Sequence, residues 1–337
     1  FFIRYLMSDS TSTLLKQSQE QLEAKLLVDL QSNQPYEALQ YVQSYLARKK
    51  KQLGQNFTSA LVFFAAKLMV KHNASSSAGT LLTWFIEDGA GVEYFFKLQT
   101  NALNSENYCD VQRLIDFLSK ISISEAIPTV DLIYGPVHIL ISKSKIDNGS
   151  ALSSRLQELE ILFAKILEGS KTWRNAFKSY VRIGDMKKVC EVLELWSAEG
   201  YATEKPLFFA RALIHLLAEA KVTQAAELLK YSVPLITDNI NDASVIHGTD
   251  ALAVWHVAVI LTELASMAPM PRVDKPKLFG LLYTRYVALF EKVDTKLLEL
   301  LLKAGEASLG FQNPQQQQSQ SNPMAMLQGL LSGGGGG

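Results

Sequence analysis

Two cysteines in 337 residues, Cys109 and Cys190, are too few for a disulfide framework and too far apart for the paired spacing of a zinc site. A reducing compartment, the cytosol, is the expectation. An excess of one charge is missing as well: 33 Lys plus Arg balance 33 Asp plus Glu, so no global field draws the chain onto nucleic acid or an acidic membrane. Any charge-driven partner must read a local patch. No long apolar run is present either. The longest, Ala251 to Leu261, contains His256 and meets Glu263, whereas a membrane-spanning helix needs roughly 20 apolar residues. Phe1 to Leu6 is apolar apart from Arg4 but much shorter than the apolar region of a secretory signal, and Met7 with Ser8 and Asp9 reads as the natural start. Without an export signal the sequons at Asn56, Asn73 and Asn148 carry little weight.

Signatures of chemistry are equally scarce. Gly89-Ala90-Gly91 lacks the Lys-Ser/Thr ending and the strand-to-helix context of a phosphate-cradling loop. The five histidines, His72, His138, His215, His247 and His256, repeat no metal-binding helix spacing. No nucleophile elbow marks a Ser/His/Asp or Cys/His arrangement. The expectation is therefore a protein with no catalytic residues, no metal and no cofactor.

Apolar residues are plentiful: 48% of the chain against 20% charged, enough to offset the entropy of ordering a globular core. Strand signals are rare, and apolar residues recur at helical spacing with turn residues between. Leu22, Leu26, Leu27 and Leu30 form one stripe, ended by Asn33 to Pro35. A second helix opens at Pro35, a favoured first-turn residue, and runs to the basic Arg48 to Lys51 before Gly54. Further helices are predicted over 57–72, 76–88, 92–103, 107–120, 126–143, 151–168, 171–183, 186–199, 205–219, 222–231, 252–267, 277–290 and 295–309. Helices of this length joined by short turns cannot each close a core. Stacking antiparallel hairpins into an all-α solenoid, a degenerate tetratricopeptide-like array, solves that problem.

Val233 to Gly248 departs from the pattern, with β-branched residues, Pro234 and a turn-rich Asp238 to Asp242 centre. A β-hairpin and an irregular loop both fit. Beyond Phe311 the composition turns to Gln, Ser, Asn, Pro and Gly, which cannot bury a core. Within that tail Met324, Met326, Leu327, Leu330 and Leu331 form an apolar island, fit either to dock back or to bind a partner. The expected organisation is a disordered start over 1–13, solenoid halves over 14–150 and 151–311, and a flexible tail over 312–337. Arg48 to Lys51 reads either as a solvated helix end or as a docking patch for an acidic protein surface.

Several segments, in order, look familiar. Tyr36-Glu37-Ala38-Leu39-Gln40, then Arg48, then the Ala65 to His72 helix followed by Ser77-Ala78-Gly79-Thr80-Leu81 resemble the Golgi-to-ER traffic protein four family. Gly135-Pro136-Val137-His138 is similar to a family patch, as are Leu281-Leu282 with Tyr286, the Ala304 to Gly310 helix end and Met326 to Leu331. That resemblance implies an α-solenoid without enzymatic activity of its own, acting in the cytosol to deliver tail-anchored proteins to the ER membrane.

It implies three partners and no nucleic acid or direct membrane insertion. A dimeric targeting ATPase would face the N-terminal half, at Arg48, Lys49 and Glu87. A ubiquitin-like adaptor would be gripped by the C-terminal half, at Val233, Leu235, Ile236, Val245 and Ile246, and would recruit a co-chaperone carrying the client. The resemblance favours the hairpin over the loop at 233–248. Thr80 stands where the family has an acidic residue, which puts tuning of the ATPase at that position in question. The competing reading keeps the solenoid but makes it a subunit of another assembly, of proteasome-lid or COP9 type.

Overall fold

The structure, a computed structural model, describes residues 2–53, 55–87, 109–143, 151–240, 249–269 and 273–312. Fourteen α-helices and one short 3-10 turn occur among the described residues, with no strand. The fold is an all-α solenoid of helix hairpins, as the periodicity predicts. It divides into two compact units, Phe1–Ile183 and Gly184–Gly337.

In the first unit α1 spans Phe2–Gln31, α2 Pro35–Leu53, α3 Gln55–Lys71, α4 Ser75–Glu87, α5 Cys109–Ser119, α6 Ile123–Lys143, α7 Ala151–Gly169 and α8 Trp173–Ile183. The second contains α9 Met186–Ala198, the 3-10 turn Ala202–Glu204, α10 Lys205–Ala218, α11 Val222–Ile240, α12 Thr249–Ser266, α13 Lys275–Val293 and α14 Thr295–Leu309.

One turn recurs. Asn33, Asn73, Lys171 and Ala220 each adopt a left-handed backbone, with φ of 56°, 60°, 57° and 57°. Each follows a helix end where two backbone bonds close the same ring: Gln34 N to Asp29 O at 2.9 Å, Ala74 N to Met69 O at 2.8 Å, Thr172 N to Leu167 O at 2.9 Å and Lys221 N to Leu216 O at 2.8 Å, each paired with a shorter-range bond. This is the Schellman closure, which satisfies the last helical carbonyls and reverses the chain. The next helix starts at once, and its fourth residue in every case is an alanine: Ala38, Ala78, Ala176 and Ala225, all 0% exposed. A methyl group there lets the new helix settle close against its neighbours. The repeat thus lies in backbone geometry and one small side chain, which explains why no tetratricopeptide consensus is visible.

The hairpins close around Leu22, Leu26, Leu46, Leu61, Leu81 and Phe85 in the first unit, all nearly or fully buried. Each such side chain contributes roughly 1.5–3 kcal/mol of transfer free energy. Helices α4 and α6 meet at Gly79, where an added Cβ would lie 2.8 Å from Leu132 Cδ1 and 3.1 Å from Thr129 Cα. Pro136, inside α6, has no N–H for the carbonyl of Leu132, and Thr83 Oγ1 on α4 donates to that carbonyl at 3.3 Å instead.

Helix α1 begins at Phe2, and no Pro or Gly stands before Pro35 to stop it. One expectation is corrected, the hairpin over 233–248. The expected hairpin over 233–248 is helical through Ile240. Leu228, Leu229, Ser232 and Ile236 are all buried there, and this 3.6-residue spacing overrides the local β-branched composition; the remainder of that hairpin lies outside the described residues. The two compact units divide at Gly184, φ 86°, and within the first α7 packs on α5, α6 and α8. The helix expected over 92–103 and the tail beyond 312 lie outside the described residues.

Candidate docking surfaces

Helix α2 carries Arg48 and Lys49 toward its C-terminus, where positive charge suits the helix dipole. Tyr45, one turn earlier, is buried and its hydroxyl lies 3.4 Å from Ser18 O and 3.5 Å from Gln21 Oε1 on α1. Lys49 Nζ sits 5.5 Å from the centre of that ring, so its ammonium is held over an aromatic face. Arg48 is exposed, with Nε donating to Ser44 O at 3.2 Å. Two successive reversals make α4 run in the same direction as α2, and the two helices touch. Glu87, the exposed last residue of α4, therefore lies at the same end of the stack as Arg48. Thr80 stands seven residues before Glu87 and so on the same helical face, exposed, with Oγ1 donating to Ser76 O at 3.0 Å.

The residues expected for the second surface come apart. Val233 is 37% exposed near the end of α11 and Leu235 is partly exposed, but Ile236 is only 2% exposed and belongs to the core of its unit. Val245 and Ile246 lie outside the described residues. Helical packing explains the split, since residues on adjacent positions of a helix face different ways.

A polar cluster that spacing alone could not assemble joins α6, α7 and α8. Arg182 Nη1 donates to His138 Nε2 at 2.8 Å and to Tyr134 Oη at 3.0 Å, and lies 3.5 Å from Glu160 Oε1. The Tyr134 hydroxyl also meets Ser179 Oγ at 3.0 Å and Asn175 O at 3.3 Å. Because the guanidinium can only donate, Nε2 accepts, and the imidazole is neutral with its proton on Nδ1. The 3.2 Å approach of Nε2 to Glu160 Oε2 is then not an ion pair. Burial, with the positive charges of Arg182 and Lys178 beside it, pushes the His138 pKa down to about 3. Burial raises the Glu160 carboxyl above its ordinary value, against the opposing pull of Ser179 and Arg182. The Tyr134 hydroxyl is likewise raised, chiefly by burial.

This arrangement fastens three helices. Ser179, fully buried, offers no accessible nucleophile, and burial pushes the Cys190 thiol up to about 11, far from a reactive thiolate. No group of His, Cys, Asp and Glu among the described residues could hold a metal ion.

The second unit also holds an open groove of about 480 Å³ between α12 and α13, which the sequence pattern did not single out. Ile260, Glu263 and Met267 line one wall, and Leu278, Leu281 and Arg285 the other. Leu278, Leu281, Leu282 and Arg285 follow helical spacing on one face of α13, a signal that was readable but indistinguishable from a core stripe.

The family model described as Golgi to ER traffic protein 4 matches residues 55–332. The crystal structure of C. therm. Get4 is similar in fold, with a TM-score of 0.56 at 18% identity over 95% of this chain and 96% of that one. Among curated proteins none matches.

Proposed function

Because the chain belongs to the Golgi to ER traffic protein 4 family, we propose that it is a non-enzymatic scaffold joining a dimeric targeting ATPase to a ubiquitin-like adaptor. The adaptor brings a co-chaperone loaded with tail-anchored clients, so the chain serves their insertion into the ER membrane from the cytosol. The observation that carries this reading is the extent of the family match, which runs from α3 through both units and into the segment after α14. The match includes Glu87, Val233 and Leu235, while Arg48 and Lys49 on α2 precede it.

The basic end of α2 and Glu87 of α4 supply the ATPase-facing surface. A cationic, partly ordered patch steers an acidic partner, while apolar contacts set how long it stays. Val233 and Leu235 supply part of the adaptor surface. None of the described helices is long and apolar enough to cross a membrane.

The test is co-purification of the full chain with a purified ATPase dimer and with the adaptor. The adaptor complex is expected to survive high salt and the ATPase complex to weaken with it. Recovery of neither partner at low salt removes the proposal.

A further inference from the structure

We propose that the groove between α12 and α13 is a docking site for this chain's own segment 323–332, bound in cis as a short amphipathic helix. The groove is almost wholly apolar and its rim is exposed: Leu281 is 62%, Ile260 46%, Leu278 41% and Met267 37% accessible. Four large apolar side chains this open on facing helices ask for a cover.

The segment has the sequence of a helix made for such a surface. Asn322 is a favoured N-cap and Pro323 a favoured first residue, while Gly333 is a stop signal. At about 100° per residue, Met326, Leu330, Leu327, Leu331 and Met324 fall within an arc of about 160°, with Ala325, Gln328 and Gly329 on the other side. A helix this short is marginal in water by itself and needs an apolar partner. Its length suits the groove. Ten residues span about 15 Å, and the wall from Val259 to Met267 spans about 12 Å. The segment from Pro323 to Ser332 carries no charge, so it brings none of its own into the groove.

The connection is also the right length. The described chain leaves the fold at Phe311, whose ring packs 4.8 Å from that of Phe279 and 6.5 Å from that of Tyr283, on the side of α13 away from the groove. To reach the groove it must pass about half way round that helix, roughly 16–19 Å. The ten residues from Asn313 to Asn322 have a typical end-to-end distance of about 17 Å and can extend to about 33 Å. A tether matched to its span gives an effective concentration on the order of millimolar, so even a weak contact is populated.

Disulfide trapping in the full chain tests this. Leu281→Cys combined with Leu327→Cys places thiols on the groove and on the apolar arc, while Leu281→Cys with Ala325→Cys places the second thiol behind the helix. Both tail positions have nearly the same tether, so an undocked tail crosslinks at equal rates. The expected result is an intramolecular crosslink at least about tenfold faster for the Leu327 pair. Equal rates overturn the proposal, and so does a crosslink found mainly between two molecules, which would make a second copy the occupant. Leu281 is exposed, and an unchanged circular dichroism spectrum of each double variant shows that the fold is retained.

Discussion

Arg182 Nη1 and His138 Nε2 stand 2.8 Å apart, a guanidinium donating to an imidazole that must stay neutral to accept. The native imidazole takes up a proton only near pH 3, whereas in an unfolded chain it does so near 6.5. Between these values unfolding binds a proton, so stability held above pH 6.5 falls as the pH is lowered, by up to about 1.4 kcal/mol per pH unit. Glu160 works the other way. Its raised native pKa means the folded state takes that proton first, which offsets part of the loss at the acid end. Urea unfolding at pH 7, 5.5 and 4.5 should show a slope that shrinks in His138→Gln; an unchanged slope would rule His138 out as its source.

Removing the donor should cost more than removing the acceptor. Arg182→Ala leaves the buried Glu160 without its nearest cation and Tyr134 without one of its partners. Arg182 is itself 42% exposed, so the expected loss is about 2 kcal/mol rather than the 3–5 kcal/mol of a fully buried pair. Arg182→Ala with Glu160→Gln should lose less than the sum of the single changes. Strict additivity in a double-mutant cycle would show that the two groups are not coupled.

The left-handed turns give a stabilising prediction. Lys171 and Ala220 hold positive φ without the local hydrogen-bonding side chain that lets Asn33 and Asn73 tolerate it. Lys171→Gly and Ala220→Gly should each raise stability by up to about 1 kcal/mol, while Asn33→Gly and Asn73→Gly should change it little. Thermal melts of the four variants discriminate, and destabilisation by Ala220→Gly would refute the strain argument.

Helices α13 and α14 touch where Gly305 faces Phe279, and a Cβ at 305 would overlap that ring. Phe279 is 1% exposed and cannot swing outward. Gly305→Ala is expected to cost about 1–3 kcal/mol, and Phe279→Leu in the same chain should recover part of it. Denaturation midpoints of the single and double variants decide, with equal stability of Gly305→Ala and the natural chain counting against close contact there.

These cases show what the sequence could and could not reveal. The stripe Leu22, Leu26 and Leu30 marked a buried helix face, because helical period and burial are the same signal read twice. Pro35 marked the start of α2 because its fixed φ suits a first turn. The division at Gly184 and the meeting of Tyr134, His138, Glu160 and Arg182 were not legible, since both depend on which helix faces stack and spacing says nothing of that. At Val233 to Ile240 the composition argued for strand and the period for helix. The structure follows the period, as a segment with Leu228, Leu229 and Ile236 to bury must. The groove was hidden for the converse reason: an exposed apolar stripe and a buried one are written alike.

The basic end of α2 gives the prediction on which the ATPase-facing assignment stands. Reversing Arg48 and Lys49 to Glu replaces two cations with two anions on a surface where Glu87 already sits at the same end. Arg48 is exposed and contributes no core contact, and Lys49 offers only its place over the Tyr45 ring, so the fold should lose at most about 1 kcal/mol. Association with an acidic ATPase surface should slow by about tenfold or more at low salt, and the gap between natural and reversed chains should narrow as salt rises, because screening weakens charge steering and leaves the apolar contacts. Stopped-flow association rates across a salt series separate the two contributions. A reversed chain that associates as fast as the natural one at low salt would move the ATPase contact away from α2 altogether, while a gap that persists at high salt would assign these side chains to the contact itself rather than to steering.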